Sequence, residues 1–301
     1  VNLHHLRVPV WLLAVLPPLF WAGNFVLARG LHEAITPIAL SFWRWAAALL
    51  ILLPFVAAAF WKQRRILLQH APLLTVFAVL GVTNYNTFAY IGLQHTTATN
   101  GVLLASIIPV AIVALSFVLL GIRLRSMQAF GILLSLVGVV VIATEGRPQT
   151  LLELQFNRGD LWILAASLDW ALYSVFLRWR PAELSPVTFL GAIVLIGVLP
   201  LGVLYGWEIS AGYRFAVNTT NLAAIGYVAL FPSVLAYVFW NRAIAEMGPN
   251  RTGQYLHLMP LFGAALAILL LGERIQAFHL AGAVLIAAGI VFATVVQGDR
   301  A

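Results

Sequence analysis

Ten runs of about 20 apolar residues, each ended by a charge, a proline or a polar cluster, constrain this chain more than anything else in it. They fall at 9–29, 37–60, 72–93, 98–120, 126–145, 160–178, 187–207, 221–243, 251–271 and 277–297. A helix of about 20 residues crosses the hydrocarbon core of a bilayer with its backbone N–H and C=O groups bonded internally. A soluble fold needs charge on its surface. Here 9% of 301 residues are charged and 62% are hydrophobic, where ordinary domains are about 25% charged. The fold expected is therefore an all-α polytopic membrane protein of ten transmembrane helices, with the lipid bilayer as its partner. The first run is longer than the apolar region of a cleaved signal and carries Trp11, Pro17, Pro18 and Trp21, so it reads as a span.

Lysines and arginines orient the helices. With the N-terminus inside, eleven basic residues fall in inside segments, among them Lys62, Arg64, Arg65, Arg123 and Arg125. Five (Arg29, Arg147, Arg158, Arg214 and Arg274) fall outside, and Arg44 is left within a helix. Both termini are expected in the cytoplasm, and the protein in a bacterial inner membrane. The net charge of +7 comes from basic residues scattered between spans, which argues for orientation and against nucleic acid. The absence of cysteine excludes disulfides and thiolate chemistry.

The chain repeats itself. Trp21, Ala22, Val26, Arg29 and Pro37 match Trp170, Ala171, Val175, Arg178 and Pro186 at an offset of 149. Pro109, Gly121, Arg123, Gly131 and Gly138 match Pro260, Gly272, Arg274, Gly282 and Gly289 at an offset of 151. The halves are 1–150 and 151–301, with five helices each. An odd number of crossings makes the second half enter the membrane from the opposite side. Two inverted five-helix repeats are the architecture by which many secondary transporters alternate access around a midplane site.

At these residues the sequence resembles the drug/metabolite transporter superfamily, specifically its EamA-type ten-helix members. The resemblance rests on FWAGNF and DWALYS in the first helix of each half. It rests also on residues 255–293, with their proline, Gly272-Glu273-Arg274 and spaced glycines. The first half departs, reading Gly121-Ile122-Arg123. YddG-type exporters of amino acids are nearest in appearance. The resemblance implies two EamA-type repeats and export of small metabolites.

Ionisable and polar groups within the spans are the site candidates. Arg44 in helix 2 and Asp169 in helix 6 are candidates for coupling or charge recognition: an amino acid's carboxylate and ammonium, a proton-coupling ion pair, or a structural pair. Trp21, Asn24, Trp170 and Tyr173 mark helices 1 and 6. Helix 3 carries Thr83, Asn86, Thr87 and Tyr90 at helical spacing, and helix 8 carries Ser233, Tyr237, Trp240 and Asn241. An offset of 150 sets Tyr90 on Trp240. Asn100 in helix 4 and Gln254 and His257 in helix 9 complete the expected lining. His257 has a structural alternative, a hydrogen bond to a carbonyl freed by a proline, and Pro109 and Pro260 free those of Ala105 and Leu256. Tryptophan and tyrosine offer apolar faces with one polar handle and attract cations. Amino acids, aromatic ones included, lead; cationic drugs, quaternary amines or nucleosides are the alternative. Pro109 and Pro260 are candidate hinges, against static kinks. The glycine pairs in helices 5 and 10 read as close packing only. There is no H-E-x-x-H, G-x-S-x-G or P-loop, so no catalytic residue, metal site or cofactor is expected. An intramembrane enzyme or scaffold is a distant alternative, and one chain is expected to suffice.

Overall fold

The structure, a computed structural model, describes residues 9–31, 33–96, 98–152, 156–271 and 274–294. Outside that description lie Gly272, Glu273 and the side chains of Arg29 and Asn100, the last a candidate lining residue. Ten helical passages are traced. They are α1 (Val10–Gly30), α2 (Pro37–Lys62), α3 (Ala71–His95), α4 (Gly101–Leu120), α5 (Ser126–Ala143), α6 (Arg158–Trp179), α7 (Pro186–Ser210), α8 (Thr219–Met247), α9 (249–271) and α10 (Ala277–Thr294). Among the described residues nine are long and apolar enough to cross a membrane. The other, α9, runs as a short helix, a 3-10 turn at Gln254–His257 and a final helix at Leu258–Leu271.

Local chemistry sets several ends. Thr36 and Ser185 cap α2 and α7, each followed by proline at the first helical position, where a missing N–H costs nothing. Asn157 and Asp160 form a capping box that starts α6. Gly121 ends α4 at φ 67°, a left-handed conformation natural to glycine.

The packing follows the inverted repeat. Helix α1 lies on α8 and α9, while its repeat equivalent α6 lies on α3 and α4. Helix α2 pairs with its own equivalent α7, and α5 with α10. The α5–α10 crossing is a backbone contact: a Cβ on Gly131 would stand 2.5 Å from the Gly289 carbonyl oxygen, and one on Gly138 2.8 Å from that of Gly282. Glycine there lets two helices approach with no side chain between them.

Two irregularities recur in both halves. Helix α3 widens into a π segment at Val79–Asn84 and α8 does so at Leu230–Leu235, an offset of 151. The register between these helices is therefore one residue longer than the 150 read from the sequence, and Tyr90 falls on Asn241. Helix α4 is interrupted at Ser106–Ile107, just before Pro109, and α9 takes its 3-10 turn just before Pro260.

Candidate functional site

The middle of the bundle is filled by rings from both halves. Trp21, Trp45, Tyr85, Trp170, Tyr173, Tyr237 and Trp240 are all buried. Trp21 meets Trp170 edge-on at 4.9 Å and Trp240 at 5.3 Å, and Trp170 stacks on Tyr173 at 5.1 Å. Tyr237 lies 5.1 Å from Trp45 and 5.2 Å from Trp170. The expected lining aromatics Trp21, Trp170, Tyr173, Tyr237 and Trp240 thus converge. They pack on one another here, where the sequence reading had them lining a midplane site. Trp45, absent from that lining, joins them. Trp43 does not: it is 37% exposed and leans on Phe42 and Tyr205.

The π segments hold this cluster. A π turn breaks the regular i→i−4 ladder and recurs at functional sites. The Gly81 carbonyl of α3 accepts the Tyr237 hydroxyl from α8. At the repeat-equivalent position, the Pro232 carbonyl of α8 accepts Trp21 Nε1 at 2.9 Å and Arg44 Nη2 at 2.9 Å. Each half thereby fastens to the irregular turn of the other. The extra residue also breaks the helix 3 face expected from spacing. Thr83 donates to the Gly197 carbonyl of α7, Asn86 is buried with Nδ2 unpartnered among the described residues, and Tyr90 turns to Arg44.

Arg44 is fully buried. Its Nε donates to Ser233 Oγ at 2.6 Å, and Nη1 donates to Asn24 Oδ1 at 3.1 Å and to Tyr90 at 2.8 Å. Tyr90 donates in turn to Asn24 Oδ1 at 2.7 Å. Every one of these acceptors is neutral. The pairing of Arg44 with Asp169 considered from sequence is not formed. Asp169 is half-buried beside Asn84, with Oδ2 unpartnered among the described residues. The reason is the helix spacing: Arg44 sits in a corner of α1, α2, α3 and α8, while Asp169 faces the π turn of α3.

His257 is fully buried, with Nδ1 2.6 Å from Ser135 Oγ and Nε2 3.3 Å from the Ser106 carbonyl oxygen. That carbonyl sits at the α4 interruption, one residue beyond Ala105, whose carbonyl Pro109 was expected to free. Gln254 is buried, with Nε2 on the Asn250 carbonyl and Oε1 unpartnered among the described residues.

Four buried donors around the cluster have no acceptor among the described residues: Trp45 Nε1, Trp170 Nε1, Asn86 Nδ2 and Asn241 Nδ2. A cavity of about 160 Å³ opens at the end of the bundle that carries the 31–36 connection, between Thr36, Gln94, Tyr205 and Arg214. A smaller one shares Gln94 and has Tyr90 in its wall. Sequence reasoning missed both π segments. Gly81 and Pro232, which weaken a helical ladder at equivalent positions, were the available signal.

Comparison with known proteins places this geometry. The model of the EamA-like transporter family matches twice, over residues 9–144 and 157–295. An uncharacterized transporter of Archaeoglobus fulgidus is 31% identical over 298 residues, covering 95% of this chain and 97% of that one. The uncharacterized transporter YyaM of Bacillus subtilis is 28% identical, covering 96% and 94%. A probable amino-acid metabolite efflux pump of Salmonella typhimurium is 28% identical, covering 92% of each. A solved crystal structure matches with a TM-score of 0.78 at 21% identity, over 95% of this chain and 96% of that one, which concerns the fold alone.

Proposed function

The chain belongs to the EamA-like transporter family, and from that premise we propose that it exports small amphipathic metabolites, foremost amino acids and aromatic ones among them, by alternating access. The observation that carries this reading is the aromatic cluster between the inverted halves, fastened on each side to a π turn of the other half. Rings that meet edge-on and stack among themselves accept a flat apolar side chain on the same terms. The name of the Salmonella relative supports the substrate class.

The basic-residue count supports cytoplasmic termini in a bacterial inner membrane, and in that orientation the 160 Å³ cavity faces outward. The units are residues 1–150 and 151–301. Trp21, Trp170, Tyr173, Tyr237 and Trp240 form the apolar walls; Asn24, Asn86, Tyr90, Asn100, Gln254 and His257 are the polar set carried with them. The interruptions before Pro109 and Pro260 are the places where α4 and α9 bend. Asp169 is the coupling candidate.

The test is flux of labelled phenylalanine from liposomes holding the purified protein, with and without a pH gradient. Flux above empty vesicles supports the reading, and Trp170→Ala or Trp240→Ala abolishes it without loss of insertion. Flux equal to empty vesicles refutes the amino-acid assignment. Normal flux in both variants refutes the site.

A further inference from the structure

Buried donors around the ring cluster lack acceptors among the described residues. An indole N–H donates only. Trp45 and Trp170 are 0% and 1% exposed, and neither Nε1 has an acceptor among the described residues. Asn86 and Asn241, buried beside Tyr237 and Tyr173, each keep an unused amide Nδ2. A buried donor without a partner bears its full desolvation penalty, and such groups are rare in native proteins. Four around one ring cluster mark a place for an acceptor that arrives from outside the chain.

Charge points the same way. The Arg44 guanidinium has 0% exposure, and no carboxylate forms an ion pair with it among the described residues. An intramembrane cation held only by neutral oxygens leaves positive potential in a low-dielectric setting, where it acts strongly. Arg44 adjoins the donors directly: its Cζ lies 5.2 Å from the Trp45 ring centre, and it shares the Pro232 carbonyl with Trp21. Tyr90, one of its acceptors, lines the smaller cavity that shares Gln94 with the outer one.

We infer that the site takes a solute through its carboxylate, received by Arg44 together with the free indole N–H groups of Trp45 and Trp170. This deepens the transporter reading and rests on it. The carboxylate displaces Asn24, Tyr90 and Ser233 from the guanidinium. Those three tie α1, α3 and α8 to α2, so binding of the anion loosens the wall below the outer cavity. An amine lacking the carboxylate meets the same potential as repulsion. The site therefore discriminates against organic cations, although its rings by themselves would favour them.

Thermal unfolding of the detergent-solubilised protein tests this without transport. The probes are phenylalanine, 3-phenylpropionate and phenethylamine, which share the ring and differ in their charged groups. Both carboxylates raise the midpoint, and phenethylamine needs at least tenfold higher concentration for the same shift. Trp170→Phe, which keeps the ring and removes the N–H, weakens the carboxylates threefold to tenfold. Arg44→Gln abolishes the preference for carboxylate over amine, and Arg44→Lys restores part of it. Equal stabilisation by phenethylamine, or no stabilisation by either carboxylate, overturns the inference. So does an unchanged response in Trp170→Phe, a variant that stands even where Arg44→Gln fails to fold. Carboxylate stabilisation with no phenylalanine flux from liposomes would refute the transport reading and leave this one intact.

Discussion

The corner around Arg44 and its repeat equivalent are built on one plan and finished differently. In the first half Tyr90 of α3 donates to Asn24 of α1 at 2.7 Å. In the second, Tyr173 of α6 donates to Asn241 of α8 at 2.9 Å. Asn24 corresponds to Tyr173 and Tyr90 to Asn241, so the same bond is made with donor and acceptor exchanged. Arg44 is the difference. Its equivalent at the offset of 149 is Ile193, buried in the main apolar cluster. Inversion puts the two corners toward opposite ends of the bundle. One is a knot bonded directly to a cation, and the other is a neutral pair whose nearby cation, Arg180, bonds the Leu184 carbonyl and lies over the Phe189 ring. The lesson is that duplication preserves the helix contacts and hydrogen-bond geometry, while one substitution decides whether a cation is bonded into the corner itself.

Exchanging the chemistry of the corners is expected to do the greatest damage. Arg44→Leu leaves the oxygens of Asn24, Tyr90 and Ser233 without their donor, and Ile193→Arg buries a cation where no knot awaits it. Each should cost about 3–5 kcal/mol, measured as the shift in a denaturant midpoint in detergent. A cost below about 1 kcal/mol for Ile193→Arg would mean that the second corner already accommodates charge. Next come the symmetric glycines. Gly131→Ala and Gly282→Ala are repeat equivalents, and each added methyl strikes the facing helix, so both should lose about 1–3 kcal/mol. The two losses should agree within about 0.5 kcal/mol, and a larger disagreement would break the symmetry that the corner comparison assumes.

The tyrosines sharpen the contrast more gently. Tyr90→Phe removes a hydroxyl bonded to a charged group and should cost about 1.5–3 kcal/mol; Tyr173→Phe removes a neutral bond and should cost about 0.5–1.5 kcal/mol. Equal losses would show that the guanidinium adds nothing to its corner. The smallest effect on stability belongs to Asp169→Asn. Its half-buried side chain already leaves one oxygen unpartnered, so the change should stay within about 0.5 kcal/mol. Its readout is instead the response of phenylalanine flux to a pH gradient, which should vanish in the variant. A response equal to that of the unmodified protein removes Asp169 from coupling.

Much of this was legible in the chain. Apolar runs marked the spans, and paired prolines and glycines marked the repeat. The Gly131–Gly289 and Gly138–Gly282 contacts are the close packing that the glycine spacing suggested. The aromatics singled out in helices 1, 6 and 8 do meet. Less legible was what each polar group faces. Arg44 and Asp169 looked like partners because both lie deep in apolar runs, but depth says nothing about rotation around a helix. His257 looked available, yet Ser135 and the Ser106 carbonyl occupy both its nitrogens.

The sequence by itself determined the solvent, the number of crossings and the inverted duplication, because hydrophobic length and repeat spacing are properties of a linear string. The tertiary structure decided the rest. A π turn inserts one residue into a helical period, rotating everything beyond it by about 100°, and no pattern of apolar residues records that step. It carries Tyr90 to Arg44 and brings the Gly81 and Pro232 carbonyls to donors from the opposite half. Which polar groups end up satisfied, and which donors remain free in the middle of the membrane, follows from that rotation.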